Sequence, residues 1–312
     1  MGAARTERTH AGRHLRRRML VLGLATAALS VAALAGGAVS ASATTTLAMP
    51  PRLEDVPYAG ASSYQAANIY PSPYAGSPVV VLVHGGGWRS NAFLGYLELE
   101  ARALQSQGFT VYEINYRQDT KTSPAFPMEP NDVVTATRWA IDTASSHNGD
   151  PNKLVLVGGS AGGQLVAVAA TQIDTESPGA VDGVVTLSAA GANFLTLQPL
   201  VEAEALARES FEISIERALA WRQSVGGSFP QAYAERWSPT LHPPTVAADC
   251  PQWLLFNSEA ELIPLAQAEE MHQSLVEAGC SASLTVVPGD NHAFAYFHIV
   301  KPQVFAFIRA VT

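Results

Sequence analysis

The chain has 312 residues, 47% of them apolar and 15% charged, a globular composition that excludes a disordered acidic or basic tail protein. No internal repeat of 20 to 50 residues is present, which excludes solenoids and repeat arrays. The net charge of −8 hides an asymmetry: residues 1–43 hold six arginines and one acid, Glu7, leaving 13 basic against 26 acidic residues in 44–312. An acidic body argues against nucleic-acid and anionic-membrane partners, because phosphate is bound by Lys and Arg.

In chain order, residues 1–43 come first and resemble an export signal. Arg16, Arg17 and Arg18 precede an apolar run from Met19 to Leu34, and Ala41-Ser42-Ala43 is a small-x-small cleavage site. Cleavage before Thr44 would release a catalytic body, 44–312, long enough for one large domain and secreted without stable membrane insertion. The run is short and rich in Ala and Gly for a spanning helix, which favours a cleaved signal over an anchor. The arginines fit either the general or the twin-arginine export route.

Residues 44–77 predict an extended lead-in with an edge strand near Asn68–Tyr70. Val79–Val83 is an uninterrupted apolar run of strand length, as expected for a strand buried on both faces. A helix around Leu97–Gln107, a strand over Phe109–Tyr116, and a helix opened by Pro130 and running to about His147 follow. Leu154–Val157 predicts a third buried strand, Ala161–Gln172 a helix, and Val181–Ser188 a fourth strand. Residues 190–247 break the alternation, with helical stretches near 200–208 and 214–222 and a Pro-rich segment over Trp237–Pro244; they are expected to form an inserted cap. Alternation resumes with a strand over Gln252–Asn257, a helix over Leu265–Ala278, a strand over Ser283–Val287 and a last helix from about Val300. This order predicts a mostly parallel sheet flanked by helices.

Three loops carry the chemistry. Gly158-Gly159-Ser160-Ala161-Gly162-Gly163 lies between a buried strand and a helix. A serine on so sharp a turn exposes its hydroxyl, the glycines keep side chains out of the turn, and the N–H of Ala161 at the helix start faces a developing negative charge. His84-Gly85-Gly86-Gly87-Trp88 follows the first buried strand; its glycines let main-chain N–H groups approach a ligand, as the other half of an oxyanion hole. No Lys-Ser/Thr follows these glycines, so a phosphate loop is disfavoured. His84 is expected to hold the loop, while Trp88 either lines the acyl pocket or packs. Six histidines lie beyond residue 43. Of these, His292 stands just past the last strand, where loops gather at one sheet edge, and is the candidate base. His147, His242, His272 and His298 are expected in structural or solvated roles. The orienting carboxylate belongs after the strand Gln252–Asn257, where the chain offers Glu259 and Glu261.

Cys250 and Cys280 each precede a strand of a parallel pair joined by one helix. Both therefore fall at the N-terminal sheet edge, about 5 Å apart, and predict a disulfide remote from the catalytic loops.

The order Ser, acid, His resembles the α/β-hydrolase superfamily, in particular its hormone-sensitive-lipase-like and bacterial feruloyl-esterase-like branches. The likeness rests on His84–Trp88, Tyr116-Arg117, Asp132, Arg138-Trp139, Asp150-Pro151, Gly158–Gly163, Ser238-Pro239, Cys250–Pro264 and Gly289–Phe294. It implies an α/β-hydrolase fold with a helical cap, Ser160 as nucleophile, His292 as base, Gly86, Gly87 and Ala161 as oxyanion donors, and no cofactor or metal. One departure stands out. Such families place an Asp four residues before the proline matching Pro264, and that position is Ala260 here. Glu261, next to it and one methylene longer than Asp, can take the role. The expected activity is hydrolysis of short-chain or aryl acyl esters, as small molecules or linked to polysaccharide. Amide hydrolysis and a hydrolase-like binding module lacking the usual acid are the alternatives.

Overall fold

The computed structural model describes residues 48–89, 94–120, 125, 127–197, 231–244 and 249–312. The proposed signal and the cap stretches near 200–208 and 214–222 lie outside the described residues.

Eight strands form one sheet: β1 (Leu53–Pro57), β2 (Ala66–Tyr70), β3 (Ser77–Val83), β4 (Thr110–Ile114), β5 (Gly149–Gly159), β6 (Gly183–Leu187), β7 (Gln252–Ser258) and β8 (Ala282–Val287). Their spatial order is β1-β2-β4-β3-β5-β6-β7-β8. β1 and β2 are antiparallel to their neighbours, and every pair from β4 to β8 is parallel. The strand expected at the edge is interior, because Leu53–Pro57 pairs outside it. That outer strand is largely exposed and carries no apolar run to reveal it in the sequence.

The unbroken apolar runs have a direct cause. On β3, Val79, Val81 and Val83 face a core shared with α2 (Met128–Thr143) and α3 (Ala161–Glu176), while Val80 and Leu82 face a second core with α1 (Glu98–Ser106) and the C-terminal helix Phe297–Val311. Both faces are covered, so alternation with polar residues would bury unpaired groups. α2 starts two residues before Pro130, which sits in its first turn, where the missing N–H has no intrahelical partner to lose. The C-terminal helix also starts earlier than expected, at Phe297, after a 3-10 turn over Ala293–Tyr296.

Of the expected cap, the described flanks are tied into the body. The helix α4 (Gln231–Trp237) leads into a short 3-10 turn, Pro239–Leu241. The Ser238 hydroxyl donates to Ala234 O (2.6 Å) and accepts from Phe194 N (2.8 Å), and Gln164 Nε2 donates to Trp237 O (2.8 Å). This gives Ser238-Pro239 a structural role. The remaining helices, counted among the described residues, are α5 (Leu265–Glu277) and α6 (Phe297–Val311).

Cys250 and Cys280 form the expected disulfide, with Cα atoms 5.5 Å apart. Trp253 pairs with Ala282 at the start of β7 and β8, so the bond closes the N-terminal edge of the sheet. A loop of 30 residues implies about 3–4 kcal/mol of stabilisation by the chain-entropy estimate. Reduction is expected to lower the melting temperature while leaving activity at 25 °C intact. Loss of activity at that temperature without unfolding, followed by circular dichroism, would contradict the structural assignment.

Candidate active site

Ser160 sits between β5 and α3 with φ 56° and ψ −126°, a left-handed conformation unusual for a non-glycine residue. The surroundings hold it there: its N–H donates to Leu187 O (2.9 Å), and its carbonyl accepts from Gly163 N (2.9 Å) and Ala190 N (3.0 Å). The flanking glycines answer to close approach. A Cβ on Gly158 would lie 2.3 Å from Gly162 O, and one on Gly162 would lie 2.4 Å from both Val83 O and His84 O. Only without those atoms can α3 start directly beneath the loop that follows β3. The turn thus lifts the Ser160 side chain over the N-terminus of α3, where Ala161 N–H is unused by the helix.

The loop after β3 is held from below. His84 is buried, with Nδ1 on Gly85 O (2.7 Å) and Nε2 on Asn115 Oδ1 (2.9 Å), and its ring stacks on Tyr116 at 4.5 Å. Burial pushes its pKa down, which disfavours a charged ring. The Tyr116 hydroxyl donates to His84 O (3.1 Å). Arg117 makes a fork to Asp132 through Nε (2.8 Å) and Nη2 (2.5 Å), fixing the end of β4 on α2. Gly86 (φ 114°) and Gly87 (φ 60°) therefore adopt their turn on a rigid base.

His292 lies on the loop after β8, and its Nδ1 is hydrogen-bonded to Glu261 Oε2. The Glu261 side chain is fully buried, and its other oxygen accepts from Ser258 N (2.7 Å) and the Ser188 hydroxyl (2.6 Å). Glu259 is exposed and accepts from Gly289 N at 3.3 Å. The backbone explains the division. Glu259 N donates to Val287 O (3.0 Å) and Ala260 N to Gly289 O (3.1 Å), so this stretch continues the pairing with the chain after β8 and turns back at residue 261. Two further residues join the site only in the folded chain: Ser188, just past β6, and Tyr296. Ser188 also accepts from Ala293 N (3.0 Å) and bonds the Tyr296 hydroxyl (2.8 Å), linking the carboxylate to the turn that carries His292. Burial, then the nearby Glu261 charge, pushes the Tyr296 pKa well above its ordinary range. The only sequence signal for Ser188 is a polar residue ending a buried strand.

Ser160, His292, Gly86, Gly87 and Trp88 border one cavity of about 670 Å³. Leu262, Phe294 and Ala295 form an apolar part of its wall, and Arg89, Tyr96 and Glu100 a polar part. The Trp88 indole is 1% exposed, donates to Gln164 Oε1 (3.2 Å) and packs on Phe194. Its position is that of a fixed wall. His242 bonds Glu235 O (2.8 Å), His272 bonds Ala282 O (3.3 Å) and His298 bonds Ala295 O (3.1 Å), while His147 lies edge-on to Tyr112; none of the four borders the Ser160 cavity.

A family model described as alpha/beta hydrolase fold matches residues 80–296. Esterase LipQ of Mycobacterium tuberculosis is 25% identical over 262 residues, covering 81% of this chain and 59% of LipQ. Ethyl acetate hydrolase of Pseudomonas putida is 24% identical over 232 residues, covering 71% of this chain and 67% of that protein. The chain thus spans roughly three fifths to two thirds of these relatives. Among solved structures, a truncated carbohydrate esterase from gut microbiota superposes with a TM-score of 0.65 at 19% identity, over 85% of this chain and 97% of that one, a likeness of fold.

Proposed function

The chain belongs to the alpha/beta hydrolase fold family, and from that premise we propose that it is a secreted serine carboxylic-ester hydrolase. Its substrates are short-chain or aryl acyl esters, free or linked to polysaccharide. The observation that carries this reading is the fully buried Glu261 carboxylate bonded to His292 Nδ1, beside a cavity that Ser160 also borders. With Nδ1–H committed to Glu261, Nε2 is the basic nitrogen.

In this mechanism Ser160 Oγ attacks the ester carbonyl while Nε2 of His292 accepts the hydroxyl proton. The imidazolium so formed is stabilised by Glu261. The N–H groups of Gly86, Gly87 and Ala161 hold the tetrahedral oxyanion. Collapse breaks the bond to the alcohol oxygen, which leaves with the proton from Nε2. Water then repeats the sequence on the acyl-enzyme, releasing the acid and restoring Ser160. Esterase LipQ and ethyl acetate hydrolase are both named as ester hydrolases, which favours esters over amides. Export is inferred from residues 1–43 alone.

The test is incubation of the purified body, 44–312, with p-nitrophenyl esters of increasing chain length, methyl ferulate and acetylated xylan, with a fluorophosphonate probe in parallel. Hydrolysis of at least one ester and one probe molecule per chain, mapped to Ser160, is expected. No turnover and no labelling of a folded sample would leave the binding-module reading; faster cleavage of matched anilides would favour an amidase.

A further inference from the structure

The loop that follows β6 touches the supports of all three groups of the proposed triad. Leu187 O accepts from Ser160 N (2.9 Å), and Ala190 N donates to Ser160 O (3.0 Å). Between them, the Ser188 hydroxyl bonds Glu261 Oε1 (2.6 Å) and Ala293 N (3.0 Å), the residue after His292. The backbone is bent on both sides to allow this. Ser188 has φ 53° and Ala293 φ 51°, left-handed values that residues with a Cβ disfavour. Ser188 keeps its turn by donating its N–H to Phe256 O (2.8 Å).

Counting protons fixes the direction of each bond at this hydroxyl. The Glu261 carboxylate, bonded through its other oxygen to His292, only accepts, so Ser188 gives it its one proton. Ala293 N–H only donates, and takes one lone pair of Ser188 Oγ. The Tyr296 hydroxyl, 2.8 Å away, therefore donates to the other lone pair; its alternative acceptor, Phe256 O, is farther off at 3.3 Å. Burial keeps the Tyr296 hydroxyl protonated. Tyr296, Ser188 and Glu261 thus form a chain of donors directed at the carboxylate, each bond polarising the next. Ser188 is completely buried, and all its bonding capacity is used. With Ser258 N–H on the same Oε1 (2.7 Å), the carboxylate cannot turn, and Oε2 stays on Nδ1 of His292. A glutamate needs this restraint more than an aspartate does, because its longer side chain has one more torsion to lose.

We infer that Ser188 is a positioning residue for ester hydrolysis: its hydroxyl, directed by Tyr296, holds the Glu261 carboxylate and the turn at Ala293 in register, so that Glu261 meets His292. This inference rests on the serine-esterase reading and adds to it the group that makes a glutamate work as the orienting acid.

The experiment compares Ser188→Ala, Ser188→Gly and Tyr296→Phe with wild type on p-nitrophenyl acetate, and repeats Ser188→Ala in a Glu261→Ala background. In parallel, the Nδ1 proton of His292 is followed by NMR in protein labelled with ¹⁵N-histidine, assigned by its loss in His292→Ala. Ser188→Ala and Ser188→Gly should each lower kcat about ten- to thirtyfold, as expected for a lost bond to a buried charge. KM should stay within about twofold, because Ser188 does not border the cavity. Glycine suits a left-handed φ, so an equal loss in both variants places the effect on the hydroxyl and not on the backbone. Tyr296→Phe should cost about threefold, since Ser188 keeps its proton on Glu261. In the Glu261→Ala background, Ser188→Ala should change kcat less than about twofold, its partner being gone. The Nδ1 proton should lie far downfield in wild type and Tyr296→Phe, and move upfield or vanish in Ser188→Ala. Near-wild-type kcat in Ser188→Ala or Ser188→Gly, or an undiminished loss in the Glu261→Ala background, would overturn the assignment. If Ser188→Ala does not fold, Ser188→Gly and Tyr296→Phe decide by the same criteria. If the wild type turns over no ester yet the Nδ1 resonance depends on Ser188, the esterase reading has failed and the positioning role stands. A resonance indifferent to Ser188 overturns that role whether or not esters are cleaved.

Discussion

Ser160→Ala is expected to lower kcat on p-nitrophenyl acetate by roughly 10⁴- to 10⁶-fold, the scale seen when the nucleophile of a serine hydrolase is removed. What remains should be the rate supplied by oxyanion binding and proximity alone. The fold should survive. The bonds that hold residue 160 in its turn come from its own main chain, to Leu187 O and from Gly163 N and Ala190 N, and an alanine keeps all three. A melting temperature within a few degrees of wild type, measured beside the kinetics, separates lost chemistry from lost structure. His292→Ala should cause a comparable loss, and the double variant little more, because the two groups act as one unit. Near-native turnover by Ser160→Ala would remove this residue from the mechanism.

Glu261→Gln has the second largest expected effect, a fall in kcat of about a hundredfold or more. The surroundings dictate which way the new amide faces. One end of the Glu261 carboxylate accepts from Ser258 N–H and the Ser188 hydroxyl, so the amide oxygen takes that end. The amide NH₂ then faces Nδ1 of His292. Nδ1 must become the acceptor, and the ring proton moves to Nε2, where it blocks removal of the Ser160 proton. KM should change less than kcat, because the side chain is buried beneath the histidine. Glu259→Gln should stay within about twofold of wild type, since this carboxylate is exposed and accepts a single long bond from Gly289. The opposite ranking of the two variants would move the orienting role to Glu259.

The contest between these glutamates marks where sequence reading stops. The buried strands, the helices between them, the serine turn and the glycine loop are local matters. Val79–Val83 must lie in a two-faced sheet because no polar residue interrupts it, and Gly158 and Gly162 have to be small because backbone packs against them. The disulfide was legible for the same reason, since a helix between parallel strands returns both cysteines to one sheet edge. The outer strand Leu53–Pro57 was not, because an exposed edge strand needs no apolar run.

By itself, then, the sequence determined the parallel sheet, the serine on its strained turn and the histidine loop, all of which follow from periodicity, glycine and position within 10 to 15 neighbouring residues. Only the tertiary structure decided which carboxylate meets His292, and that Ser188 and Tyr296 brace it. Those outcomes depend on contacts across 31, 73 and 108 residues of chain, as between Glu261 and His292, Ser188 and Glu261, and Ser188 and Tyr296. A carboxylate looks alike in any sequence; its role is set by which donors the fold brings within hydrogen-bonding distance, and how far from water it holds them.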